Sequence, residues 1–265
     1  MKLKGIIFDV DGTMADTEEI HRQAFNQTFK EFDLSWYWSE SDYHKLLSIS
    51  GGKERFKICL NKDEELKSRI QNPGHFIKEL HQCKSEHYRS MLASEHTKLR
   101  PGIERLLNEA KNDGLRLGVA TSSCLANLNT LINTTLNIDP KDLFKTIVSS
   151  DTVTDKKPSP VVYQCALAGI GLDADECIAI EDTRNGNLAA LSAGLKTIIT
   201  THAYTIDNDF TDASLVINHL GEPDYPFNIT QGYNYDKSYV DVDLMENIIN
   251  DVSDNNLPKF ASNIN

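Results

Sequence analysis

The chain has 265 residues, enough to bury a full α/β core with a smaller insertion, and 27 Lys plus Arg stand against 39 Asp plus Glu for a formal net charge of −12. With a pI near 5.1, that balance argues against nucleic acid or an anionic membrane as partner, so an anionic substrate must be drawn in by a local group of cations. No apolar run approaches a membrane span and the start lacks a basic-then-apolar leader, so the expected location is the cytoplasm, or a plastid stroma if the source is photosynthetic and a transit peptide has been removed. The five cysteines (Cys59, Cys83, Cys124, Cys165 and Cys177) are odd in number and scattered, with no Cys-x-x-Cys pair, and read as reduced thiols.

An apolar run, residues 3–8, reads as a strand buried on both faces. It ends in Asp9-Val10-Asp11-Gly12-Thr13, where two carboxylates two positions apart fall on one side of an extended chain. Like charges so close call for a cation between them or a retained proton, and Gly12 permits a turn that brings backbone N–H groups to the same spot. A magnesium and phosphate site fits that chemistry. From there to about residue 94 strand signals are nearly absent, and helical stretches recur at 41–47, 53–60, 64–70 and 73–92. This helical block reads as an inserted cap. A helix from Ile103 and a strand over 115–120 then restart the α/β rhythm, followed by a helix at 125–136 and a strand at 146–149. Helices at 158–168 and 185–193 and strands at 177–180, 195–199 and 215–217 complete a doubly wound, mostly parallel Rossmann-like sheet. The expected units are 1–15 and 97–220 as core, 16–96 as helical cap, and 221–265 as a C-terminal extension. The run from Gly221 to Tyr239 reads as loop, and 242–252 as an amphipathic helix that docks on the core, meets a second subunit or frays.

Three further stretches close strands with chemistry-bearing side chains. Thr121-Ser122-Ser123 offers a hydroxyl and helix-start N–H groups for phosphate oxygens, and equally an ordinary helix N-cap. Lys156-Lys157-Pro158 places an ammonium beside a proline that opens a helix, with Lys156 read as a solvated surface charge. Glu181-Asp182 ends another buried strand in two acids. Magnesium needs only one or two carboxylates among its oxygen ligands.

These stretches, in this order and each at a strand end, resemble the four motifs of the haloacid dehalogenase superfamily of phosphotransferases. The resemblance implies that Asp9 is the nucleophile and Asp11 the general acid/base, with Thr121 and Lys157 on the phosphoryl group. It also implies Mg²⁺ as cofactor, held by Asp9, the Asp11 backbone carbonyl and Asp182, with Glu181 as ligand or as acceptor for a bound water. Within the superfamily, residues 15–26, 50–56 and 155–160 are similar to the CbbY-type subgroup, which hydrolyses xylulose-1,5-bisphosphate, a Rubisco inhibitor. That likeness implies that Glu18 and His21 contact sugar hydroxyls, that Gly52, Lys53 and Arg55 grip a distal phosphate, and that Tyr43 assists. Read from the residues alone, Gly51-Gly52-Lys53-Glu54-Arg55 is either an anion clamp or a loop leading into a charged helix. The expected function is Mg-dependent sugar-phosphate hydrolysis through an aspartyl-phosphate by a monomer or weak homo-oligomer. A β-phosphoglucomutase-like mutase is the alternative, and a non-catalytic phosphosugar-binding protein a more distant one.

Overall fold

The computed structural model describes residues 2–94 and 97–251. The central strand-forming runs are almost continuously apolar because successive side chains leave opposite faces and here both faces are covered. The strands are β1 (Gly5–Phe8), β2 (Arg116–Ala120), β3 (Thr146–Val148), β4 (Cys177–Glu181), β5 (Lys196–Thr200), β6 (Leu215–Ile217) and β7 (Ile229–Gly232). They form one sheet in the order β3-β2-β1-β4-β5-β6-β7. Every pairing is parallel except β6 with β7. Ile6, Phe8, Leu117, Val119, Ile178 and Ile180 enter one apolar cluster, whereas Ile7, Ala120 and Ala179 enter the other. On the first face lie α6 (Ile103–Asn112), α7 (Leu125–Leu136), the one-turn α8 (Pro140–Leu143) and α11 (Val242–Asn250); on the second lie α9 (Val161–Ile170) and α10 (Arg184–Ser192).

β1 sits between β2 and β4, and the chain adds β2 and β3 on one side before crossing to β4 on the other. That reversal opens a crevice at the carboxyl ends of the central strands, where such sheets place ligands. Between β1 and α6 the described residues form five helices and no strand: α1 (Glu18–Glu31), α2 (Glu40–Leu46), α3 (Gly52–Lys62), α4 (Glu64–Arg69) and α5 (Pro73–Ser94). They gather a separate aromatic cluster in which Phe25 lies 4.6 Å from Trp38 and 4.9 Å from Phe56, centroid to centroid. An isolated bridge between Ala15 and Leu99 closes the neck of this helical segment. The expected boundary at residue 96 falls outside the described residues.

Several local expectations are corrected. Pro158 does not open a helix: residues 157–160 form a turn and α9 begins at Val161. Pro160 disfavours helical backbone at Ser159, which delays the start. The helix over 125–136 forms as expected, but Ser122 and Ser123 do not start it: the Thr121 hydroxyl accepts the Ser123 N–H at 3.0 Å and holds a local turn before α7. The stretch read as loop beyond Gly221 contains β7, whose polar Ile-Thr-Gln-Gly sequence carries no strand pattern and which pairs as an edge strand. After it, α11 starts on an Asp241 cap and buries Leu244, Met245, Ile248 and Ile249 in the core. Val252, the last position of the expected helix, lies outside the described residues. No described helix is long and apolar enough to cross a membrane.

Candidate active site

The parallel register delivers Thr121, Asp9 and the Glu181-Asp182 pair to neighbouring positions at the carboxyl ends of β2, β1 and β4. The Asp9 N–H extends the ladder by donating to the Ile180 carbonyl at 2.9 Å, and the Thr121 N–H does the same toward Val148. Lys157, from the turn before α9, donates to Asp9 Oδ1 at 2.6 Å and also to Glu181 Oε1. Burial works against this ammonium, but Asp9 and Glu181 outweigh it and hold its pKa above the ordinary lysine range. Asp9 is pushed the other way from a surface carboxylate: burial raises it, Glu181 and Asp182 add to the rise, and Lys157 opposes it.

Glu181 is fully buried and accepts from Lys157, the Tyr163 hydroxyl at 2.6 Å and the Asp182 N–H. Its carboxylate therefore anchors Lys157, and it does not line the cleft. Asp182 does line the cleft and is held at both oxygens, by the Thr13 hydroxyl at 3.1 Å and by His202 Nε2 at 2.9 Å. The Tyr204 N–H donates to His202 Nδ1, which leaves Nε2 as the protonated nitrogen facing Asp182. Gly12, at φ 86°, is wedged against this pair, and a Cβ there would lie 2.7 Å from His202 Nε2.

Asp11 departs from the extended geometry expected of it. Past β1 the chain turns from Val10, whose carbonyl accepts the Thr13 and Met14 N–H groups, and the Asp11 carboxylate reaches the helical segment, outside the cluster formed by Asp9, Glu181 and Asp182. Three donors meet its Oδ1: Thr17 at 2.8 Å, Tyr88 at 2.9 Å and His21 Nε2 at 3.1 Å. Burial raises this carboxyl, but His21 and the hydroxyl donors outweigh burial and hold it below the usual carboxylate range. Behind it the Lys84 ammonium faces His21 Nδ1 at 2.5 Å, and the His21 ring stacks on Tyr88 at 3.9 Å.

The wall that helices α3 and α5 contribute to the same cleft is basic. Arg55 is steadied by the Leu46 and Ile49 carbonyls and by the Tyr43 hydroxyl at 3.0 Å, and Tyr43 in turn donates to Glu18 at 2.8 Å. His81 is pushed down to about 3 by burial and then by Lys84, Lys53 and Lys156, so this wall carries a positive field. Gly51, Gly52, Arg55, His81 and Lys84 all line the cleft with Glu18, His21, Ser122 and Ser123.

The structure thus gathers Asp9, Asp11, Thr121, Lys157, Asp182, Glu18, His21, Gly52, Arg55, Ser122 and Ser123 around one cleft. Tyr43 is completely buried behind Glu18 and Arg55, and Lys53 is exposed outside the lining. The Ser123 N–H, expected to be free for phosphate, is already taken by Thr121. Lys156, expected as a solvated charge, is half-buried near Gly51. His81, Lys84 and Tyr88 sit inside a long helix with no motif around them, and His202 sits in a loop, so none is marked in the sequence. Arg100 is likewise unmarked, although its guanidinium binds the carbonyls of Gly12, Thr200, Thr201 and Asn218 at the neck. The only signals for Lys84 and Tyr88 were their four-residue spacing. Replacing His202 by Ala is expected to weaken divalent-cation binding about 10-fold or more, measured by calorimetric titration without substrate.

The donor set fits magnesium. Carboxylate oxygens of Asp9, Glu181 and Asp182 lie within 4.8 Å of one another, all hard oxygen donors. Lys157 pairs with only two of these three buried carboxylates, Asp9 and Glu181, and a divalent cation would neutralise the negative charge that remains.

Comparison with known proteins gives concordant results. The profile of the haloacid dehalogenase-like hydrolases matches residues 6–200. Protein CbbY of Rhodobacter capsulatus is 45% identical over 220 residues, covering 83% of this chain and 95% of that protein. The β-phosphoglucomutase of Bacillus subtilis is 32% identical over 195 residues, covering 73% of this chain and 81% of that enzyme. Among solved structures, a mutant CbbY from Rhodobacter sphaeroides in complex with xylulose-(1,5)bisphosphate superposes with a TM-score of 0.75 at 36% identity, covering 83% of this chain and 96% of that one.

Proposed function

Because the chain belongs to the haloacid dehalogenase-like hydrolases and is a phosphoric monoester hydrolase of sugar phosphates, we propose that it is a Mg²⁺-dependent phosphatase of a ketopentose bisphosphate such as xylulose-1,5-bisphosphate. One observation carries the bisphosphate reading. A single cleft is lined by Asp9, Thr121 and Lys157 from the core and by Arg55 and Lys84 from helices α3 and α5, so a small molecule bearing two anionic groups meets cations from both sources. The likeness to a CbbY structure holding xylulose-(1,5)bisphosphate supports the same assignment.

Asp9 attacks phosphorus in line; its new oxygen–phosphorus bond forms as the bond from phosphorus to the sugar oxygen breaks. Asp11 gives its proton to the departing alkoxide, then takes one from the water that cleaves the aspartyl-phosphate and regenerates Asp9. The three donors on Asp11 Oδ1 favour the carboxylate, the form needed for the second step. To act as the acid, the side chain has to turn from these donors toward the leaving group. Lys157 holds Asp9 and neutralises charge on the phosphoryl oxygens, while Thr121 and Ser122 orient them. Magnesium, held by Asp9, the Asp11 carbonyl and Asp182, would supply Lewis-acid stabilisation of the phosphoryl charge. We assign residues 16–96 as the cap and 1–15 with 97–220 as the core, and read 221–265 as an extension whose described part completes the sheet edge.

Arg55→Ala is expected to raise KM at least about 10-fold for a pentulose bisphosphate and little for the matching monophosphate, because only the bisphosphate presents a distal anion. Equal changes in both would remove the distal clamp. The assignment as a whole is tested by measuring phosphate release from pentulose and hexose mono- and bisphosphates side by side, with and without Mg²⁺. The expected result is stoichiometric release, fastest from a ketopentose bisphosphate. The likeness to β-phosphoglucomutase keeps one second reading: sugar phosphates interconverted without release would assign a mutase.

A further inference from the structure

Among the described residues, two groups of side chains bring three metal-ligating atoms within 4.8 Å of one another. One is the acidic set of the cleft. The other, Glu31, Cys83 and His87, lies on the helical segment, and none of the three lines the cleft. From this second cluster we infer that the chain carries a separate transition-metal site, best suited to Zn²⁺, joining α1 to α5.

The donor chemistry separates the two sites. A thiolate, an imidazole and a carboxylate together are a zinc set, completed to four by water, whereas the all-oxygen cleft suits magnesium. Cys83 and His87 are four residues apart on α5, one helical turn, so the backbone already holds both on the same face. Glu31 is the last residue of α1, and its carboxylate already meets His87 Nε2 at 2.8 Å. The Glu31 side chain is 55% exposed and the His87 side chain 24%. An ion therefore has an entry path, and Glu31 has the freedom to adjust to it. Cys83 is half-buried, and its thiol is raised by burial and further by the Glu31 charge, offset in part by Thr28. Without metal it stays neutral; zinc would take the thiolate and release one proton.

The position gives the site a consequence. Lys84 and Tyr88, each one residue beyond Cys83 and His87, point instead at His21 and Asp11. A zinc clip between α1 and α5 therefore braces the same helix pair that holds the Asp11 donors.

The test is titration of the full chain with Co²⁺ in excess Mg²⁺, followed by displacement with Zn²⁺. One equivalent of Co²⁺ is expected to give a thiolate-to-cobalt absorption band that zinc removes. Cys83→Ser should abolish the band, His87→Ala and Glu31→Gln should weaken Zn²⁺ affinity at least tenfold, and His87→Cys should intensify the band by adding a second thiolate. Phosphate release by Cys83→Ser in zinc-free buffer should equal that of the wild type. A wild-type chain with no thiolate band overturns the site, and so does a band that persists in Cys83→Ser.

Discussion

Asp9→Asn is expected to lower kcat by about 10⁴-fold or more, because the amide removes the nucleophile while leaving the shape of the cleft unchanged. The side chain sits at the end of a strand paired on both sides, with Lys157 fixed 2.6 Å from one oxygen. Neither acid of the β4 end is placed to take over: Glu181 Oε1 is engaged by Lys157 and Tyr163, and Asp182 is held by Thr13 and His202. The variant should retain substrate binding in calorimetry while losing the phosphoenzyme in rapid-quench experiments. Turnover within threefold of wild type would place the nucleophile elsewhere.

Lys157→Ala should damage both activity and stability. It removes the ammonium that two buried carboxylates share, and a buried ion pair broken on one side typically costs about 3–5 kcal/mol. The same deletion removes the cation facing the phosphoryl oxygens, worth about 10²–10³ in kcat. The stability loss should depend on pH with a definite sign. Burial already raises Asp9, and without Lys157 its folded-state pKa rises further above the unfolded value. Across that interval the folded variant binds more protons than the unfolded chain, so its deficit should shrink as pH falls and grow as pH rises. Urea unfolding of wild type and variant at neutral and mildly acidic pH measures this directly. A deficit independent of pH would mean that the carboxylates find other partners.

The core chemistry was legible because each motif follows a buried parallel strand, and such a strand declares itself by an unbroken apolar run ending in a polar residue. Asp9, Thr121, Glu181 and Asp182 all announce themselves this way. Lys157 was legible from its proline, although the reason differed, since Pro158 shapes a turn and not a helix start. The basic wall was harder to see. Arg55 stood out beside a glycine pair, but Lys84 and His81 are ordinary letters within a 22-residue helix, and only the packing of α5 on α1 turns them inward. The different partners of Asp9 and Asp11 were hidden because the two-residue period applies only while the chain stays extended, and here the turn begins at Val10. β7 was illegible because an edge strand of four mostly polar residues has no alternation to read.

A crystal grown with Mg²⁺ and beryllium fluoride tests the central claim most directly, since the fluoride complex mimics a phosphoryl group on a carboxylate. The account predicts beryllium bonded to an Asp9 oxygen, Mg²⁺ between Asp9 and Asp182, and Lys157 against the fluorides. Beryllium on any other side chain, or Mg²⁺ bound away from this cluster, would contradict it.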